Sequence, residues 1–361
     1  MHGRHALIAI VVTLVPALPV IAEPVLPEVD AIMRTYDRSD APGAAAVVIR
    51  DGQIVHLKGY GLADSEADVM ADVATSYRLA SVSKQFIGMA IAILKERGQL
   101  TYDQTLRDFF PDFPAYGARV TVKHLLHHLG GLYDYEGLIP SSQRDQVLDR
   151  DVLQLYKTRT SSTRFTPGSQ YSYSNGGYVL LGLIVEEASG MGLANFLRDS
   201  IFAPLGMASE MYEGEATPIV QRAYGYSSSG SSWRRTDQSV TSATRGDGGI
   251  YASVTDLAKW DAALYSGHTP ALVSDATLQE VFTPGRLNGG GSSGYGFGWQ
   301  IGTYQGMRRQ SHTGSTIGFR TAIQRFPDQN LTVAVLVNRE GATPWNLAEA
   351  IVDRLTAAPA D

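Results

Sequence analysis

A serine and a lysine stand three positions apart in "RLASVSKQF", at Ser81 and Lys84. They head an apolar run formed by Phe86, Ile87, Met89, Ala90, Ile91, Ile93 and Leu94. A serine hydroxyl is a weak nucleophile until a neighbouring base takes its proton. On a helix, positions i and i+3 share a face, so the Lys84 amine can reach the Ser81 oxygen. Apolar surroundings disfavour the ammonium form, which leaves the amine available as that base. The backbone N–H groups at the helix start favour negative charge developing nearby. A capping serine followed by a snorkelling lysine is the bland reading of the same pair, and Ser-x-x-Lys alone does not decide between them.

Two more stretches supply what an acyl transfer needs. "FTPGSQYSYSN" places Tyr173 and Asn175 two apart, directly before a buried helical pattern. A tyrosine there can relay a proton beside the lysine, and an asparagine can hold a substrate amide or carbonyl. "HTGS", residues 312–315, lies in a strand pattern. Gly314 permits close backbone approach to a ligand, and the next N–H, that of Ser315, can point at an oxyanion.

The elements that must carry these residues are legible from periodicity. Val29, Ile32, Met33 and Tyr36 fall at helical spacing. "AAAVVIR", "DG" and "QIVHLKGYG" read as a tight hairpin. Ser83 to about Arg97 is helical, with Gly98 as its stop. In the middle of the chain "TVKHLLHHLG", "NGGYVLLGLIVEEASG" and "GLANFLRDSIFAPLGM" are helical patterns, the last broken by Pro204. Towards the end "YGFGWQIGTYQG", "MRRQSHTGS", "GFRTAIQRFP" and "LTVAVLVN" read as successive antiparallel strands, followed by a helix at "PWNLAEAIVDRLTAA". These imply an α/β (α+β) fold. An antiparallel sheet built from about 24–95 and 245–361 is flanked by helices, with a mostly helical region inserted at about 96–244.

Composition bounds the partners. The chain has 361 residues, 44% hydrophobic and 18% charged, with formal charge −6, so no basic face invites nucleic acid. The substrate is expected to be a small molecule or peptide. "MHGRH", the apolar "ALIAIVVTLV" and "PALPVIA" have the three-part layout of a signal peptide ending at Ala22. The expectation is export to the periplasm or medium, with residues 23–361 as a single catalytic domain and no stable membrane insertion afterwards. Zero cysteines exclude disulfides, thiolate chemistry and a lipidated cysteine. No cofactor and no metal are called for, and oligomeric state is left open.

Together, the three ordered motifs resemble the serine β-lactamase and penicillin-binding-protein superfamily, whose class A members carry Ser-x-x-Lys, Ser-Asp-Asn and Lys-Thr-Gly. With Tyr-Ser-Asn in the middle, the chain is similar to the branch of class C β-lactamases, D-Ala-D-Ala carboxypeptidases, D-aminopeptidases and esterases. "TVKHLLHHLGGLYDY" and "GGIYASVTDLAKW" also resemble segments of that branch. The resemblance implies an acylated Ser81, Lys84 as its base, and Tyr173 as proton shuttle to the leaving group. It also implies Asn175, His312, Thr313 and Gly314 as substrate-binding residues, with the N–H groups of Ser81 and Ser315 as the oxyanion hole. His312 departs from the class C lysine; a mostly neutral imidazole anchors a carboxylate weakly, so esters or amides are expected to outrank penicillins. A non-catalytic, peptidoglycan-binding relative would be expected to lack one of Ser81, Lys84 and Tyr173.

Three signals are set aside. "HLLHH" gives His124 and His128 a metal-like i, i+4 spacing but lacks the glutamate of His-Glu-x-x-His. "RGD" at 245–247 reads as chance in a glycine-rich turn, and Tyr133 and Tyr135 read equally as cleft lining or loop aromatics.

Overall fold

The computed structural model describes residues 24–357 apart from 231, 269 and 270, so the signal-peptide segment lies outside the described residues. The expected hairpin forms β1 (Ala44–Arg50) and β2 (Gln53–Tyr60). Asp51 and Gly52 join them at φ 52° and 72°. Positive φ at both central residues matches a hairpin turn to the right-handed strand twist. From the far end of the chain come β3 (Gln300–Tyr304), β4 (Met307–Thr316), β5 (Phe319–Phe326) and β6 (Leu331–Val337).

All six strands share one antiparallel sheet in the order β3-β4-β5-β6-β1-β2. The seam between chain ends is β1 on β6, with Ala44 opposite Val337 and Arg50 opposite Leu331. "YGFGWQIGTYQG" is strand only from Gln300 onward. Gly298 has φ 80° and lies against the backbone of Lys84 and Gln85, where a Cβ would not fit. Close packing on the next helix overrides strand propensity there.

Strand alternation divides β1 between two cores. Ala44, Ala46 and Val48 face α1 (Pro27–Met33) and the C-terminal helix with Val333, Val335 and Val337. Ala45, Val47 and Ile49 join Ala334 and Leu336 in the larger core, which also takes in α2 (Lys84–Glu96). Residues 84–94 of α2 are all buried, as a helix packed among other helices must be. Across α2 lies α3 (Asn175–Ser189), which opens on the Ser174 side chain accepting from Gly177 N–H at 3.1 Å and ends at Gly190, φ 69°. α4 (Val254–Ala263) packs on β1 and β6, and α5 (Pro344–Thr356) covers the opposite face of the sheet. Among the described residues no single helix is long and apolar enough to cross a membrane.

Candidate active site

Residues Ala80–Ser83 form one tight 3-10 turn that runs directly into α2, and Ser81 sits on it. The turn is held from several directions. Leu79 N–H donates to Ile250 O (2.8 Å), and Leu79 O accepts from Thr321 Oγ1 (2.8 Å). Ser83 Oγ accepts from Ile250 N–H (3.2 Å). A small sheet pairing Tyr77–Arg78 with Tyr251–Ala252 brings the 245–252 segment beside it. Ala80 has φ 48°, a left-handed conformation that costs a residue with a Cβ, placed immediately before the serine.

Lys84 is wholly buried. Its Nζ donates to Ser81 Oγ (2.9 Å), Asn175 Oδ1 (2.9 Å) and Asp247 O (2.7 Å). Two carbonyl acceptors suit the two N–H bonds of a neutral amine, whose lone pair then faces the serine hydroxyl. The same three contacts satisfy all three hydrogens of the ammonium, so the site accommodates both protonation states without rearrangement.

Above this pair opens a cleft of about 60 Å³, lined by Ser81, Asn175 and Ser315 together with Arg78, Tyr135, Glu136, Thr244, Asp247 and Thr316. Tyr173 lies beside it. Its ring centroid is 5.1 Å from Lys84 Nζ, the residue is 39% exposed, and its hydroxyl makes no hydrogen bond among the described residues. That hydroxyl is open to an incoming ligand.

Three residues of the "HTGS" stretch, His312, Thr313 and Gly314, behave differently from the expectation. His312 is buried; its Nδ1–H donates to Thr313 O (2.6 Å), and its Nε2 accepts from Tyr295 O–H (2.8 Å). Burial, with the Lys84 charge adding to it, pushes the imidazole down to about 3. Neutral and spent on the protein, His312 offers a substrate no nitrogen. Gly314 does need to lack a Cβ, but the close approach is to Leu79 O and Thr321 Oγ1 rather than to a ligand. It lets β4 press against the turn that presents Ser81. Thr313 and Ser315 share the other face of the strand, and of these two only Ser315 lines the cleft.

The charged walls were not singled out in the sequence. Arg78 is buried and donates to Gly248 O (3.3 Å), Gln238 Oε1 (3.4 Å) and Ser242 O (2.5 Å), with no ion pair among the described residues. Asp247 is also buried; Oδ2 accepts from Tyr135 O–H (3.1 Å), while Oδ1 has no partner. Burial raises its carboxyl, against the opposing pull of Lys84. Glu136, exposed at the cleft wall, accepts from Asn175 Nδ2 at 3.4 Å, and partial desolvation, then Asp134 and Asp247, raise its carboxyl. The "RGD" set aside as chance is thus part of the site. Arg245 anchors its turn through Asp149 (3.0 Å) and Glu186 (3.0 Å), and Asp247 supplies a carbonyl to Lys84. Tyr135 lines the cleft, whereas Tyr133 is exposed outside it. The three histidines of "HLLHH" go separate ways. His124 Nδ1 accepts from Thr121 N–H (3.2 Å), His127 Nδ1–H donates to Tyr295 O (2.7 Å), and His128 Nδ1 accepts from Ser174 N–H (3.1 Å).

The chain is similar to known proteins along most of its length. The family model described as Beta-lactamase matches residues 29–358. Penicillin-binding protein 4* of Bacillus subtilis is 33% identical over 312 residues, 82% of this chain and 68% of its own length. A D-aminopeptidase of Cereibacter sphaeroides is 27% identical over 323 residues, 87% of this chain but 61% of that protein's length. The octameric penicillin-binding protein homologue of Pyrococcus abyssi superposes with TM-score 0.77 at 28% identity, covering 91% of this chain and 76% of that one.

Proposed function

The chain belongs to the beta-lactamase family of serine hydrolases, and we propose that it acts through an acyl-enzyme on Ser81, hydrolysing small esters and amides. The observation that carries this reading is Lys84 Nζ 2.9 Å from Ser81 Oγ, with its other contacts made to two carbonyl oxygens. In the proposed reaction Lys84 accepts the Ser81 proton as Oγ bonds to the substrate carbonyl carbon. The N–H groups of Ser81 and Ser315 stabilise the oxyanion. Tyr173 passes a proton to the leaving group as the carbonyl–leaving-group bond breaks and recovers one from Lys84. Water then attacks the acyl-Ser81 ester, giving up its proton through the same groups, and Ser81 is regenerated.

The acyl pocket supports a finer statement. It is small and carries two carboxyl groups, Glu136 and Asp247, which suit a short acyl group bearing a free amine next to the carbonyl. D-aminopeptidase, the name of one relative, fits that chemistry. Benzylpenicillin, whose carboxylate meets no cation at position 312, is expected to be a poor substrate. Incubation with a fluorophosphonate should add one adduct mass, mapped to Ser81 and absent in Ser81→Ala. Alanine esters should turn over faster than their N-acetyl counterparts. No adduct would refute the serine mechanism, and a preference for the N-acetyl esters would refute the amine reading alone.

A further inference from the structure

We propose that His128 is a positioning residue for Tyr173, holding in place the side chain assigned above to proton delivery at the leaving group. The inference rests on that assignment.

Residues 171–174, which carry Tyr173, lie outside any helix or strand. Their backbone therefore lacks the repeating hydrogen bonds of a helix or sheet and must find other partners. Two backbone donors in this stretch go to one residue. Ser172 N–H donates to His128 O (3.0 Å), and Ser174 N–H donates to His128 Nδ1 (3.1 Å). His128 thus grips the chain on both sides of Tyr173. The second bond also sets the start of α3, because Ser174 is its N-cap and Asn175 its first residue.

The grip is obtained against local preference. His128 has φ 59°, a left-handed conformation unusual for a residue with a Cβ. Because Nδ1 accepts from Ser174, the proton of the neutral ring is on Nε2. That N–H is buried with no partner. Burial first, and then the Lys84 charge, keep the imidazole well below its usual range, so the ring stays neutral and Nδ1 remains an acceptor for Ser174 N–H.

The ring also supports Tyr173 directly. Their centroids lie 4.3 Å apart, and Tyr295 sits 4.4 Å from the His128 ring. Tyr295 is itself fixed by its bond to His312. His312 and His128 together form the floor under an exposed tyrosine whose hydroxyl has no partner of its own. A side chain in that situation keeps a productive position only if its backbone and one face are held.

The test compares an activated p-nitrophenyl ester with an amide of the same acyl group, because only the amide depends strongly on leaving-group protonation. Wild type, His128→Leu, His128→Asn, Tyr173→Phe and the His128→Leu/Tyr173→Phe double variant are assayed, each with its melting temperature. His128→Leu should lower amide kcat/KM at least about tenfold more than ester kcat/KM, as expected for a catalytic group displaced by a fraction of an ångström. His128→Asn should keep the ratio within about threefold of wild type, since asparagine tolerates positive φ and its Oδ1 can replace Nδ1 as acceptor. The double variant should be no worse than Tyr173→Phe, because groups acting as a unit are not additive. Equal loss on both substrates in His128→Leu, or multiplying losses in the double variant, overturns the proposal. If Tyr173→Phe leaves the ratio unchanged, the role given to Tyr173 fails and this inference fails with it. If Tyr173→Phe shifts the ratio and His128→Leu does not, only the inference fails. Should His128→Leu not fold, His128→Gln, whose amide sits farther from the backbone than Nδ1, takes its place with the same expected outcome.

Discussion

Replacing Lys84 by methionine separates its chemistry from its packing. Methionine fills much of the same volume inside a wholly buried helix start but can neither take a proton nor donate one. Two carbonyl oxygens, Asn175 Oδ1 and Asp247 O, lose their donor, at about 1–3 kcal/mol each if left unsatisfied. Against this, the change removes a buried polar head group whose desolvation the fold must offset. The two effects oppose, so Lys84→Met is expected to change stability by no more than about 2 kcal/mol, a few degrees in Tm. Loss of the general base should lower kcat/KM by about 10²–10⁴-fold. Ser81→Ala removes the acylated atom, and the double variant should be no slower than Ser81→Ala, since one step cannot be lost twice. The assay is kcat/KM on a p-nitrophenyl ester for wild type, both single variants and the double variant, with Tm alongside. Activity of Lys84→Met within threefold of wild type, or a double variant slower by the product of the two losses, would refute the argument.

The remaining expectations concern packing, acid stability and export. Gly314→Ala would drive a Cβ into Leu79 O and Thr321 Oγ1, so it should cost about 1–3 kcal/mol by overpacking and lower turnover; a fully stable, active variant in a urea melt would contradict the placement of β4. Burial depresses His127 to about 4, against about 6.5 when unfolded, so its stability contribution is complete above pH 6.5 and is lost as pH falls towards 4, at up to about 1.4 kcal/mol per pH unit. His127→Gln should therefore lose stability less steeply than wild type between pH 6.5 and 4.5, and parallel curves would exclude that account. We propose that the protein is exported with cleavage after Ala22; N-terminal sequencing of material from the envelope or medium should begin at Glu23, and an intact N-terminus there would refute processing.

Wherever one segment contains the whole geometric relation, the sequence alone settled it. Ser81 and Lys84 are an i, i+3 pair at the start of a helix, and helical geometry brings their side chains together regardless of the surrounding fold. Hairpin β1–β2 is likewise local, fixed by Asp51 and Gly52. The start of α3 beside Tyr173 was also legible, because a buried helical pattern begins at Asn175.

Tertiary structure decided everything that depended on which segments meet. The burial of His312 could not be anticipated, because its partner Tyr295 approaches from outside the strand that carries it. Gly314 read as space for a ligand, but the chain fills that space with its own Leu79 carbonyl. Arg78, Glu136 and Asp247 carry no periodic or spacing signal. They form one pocket only because the small sheet brings the 245–252 segment beside the Ser81 turn. Burial raises the Asp247 carboxyl and lowers the His312 imidazole, and burial is a property of the assembled chain rather than of the segment that carries each group.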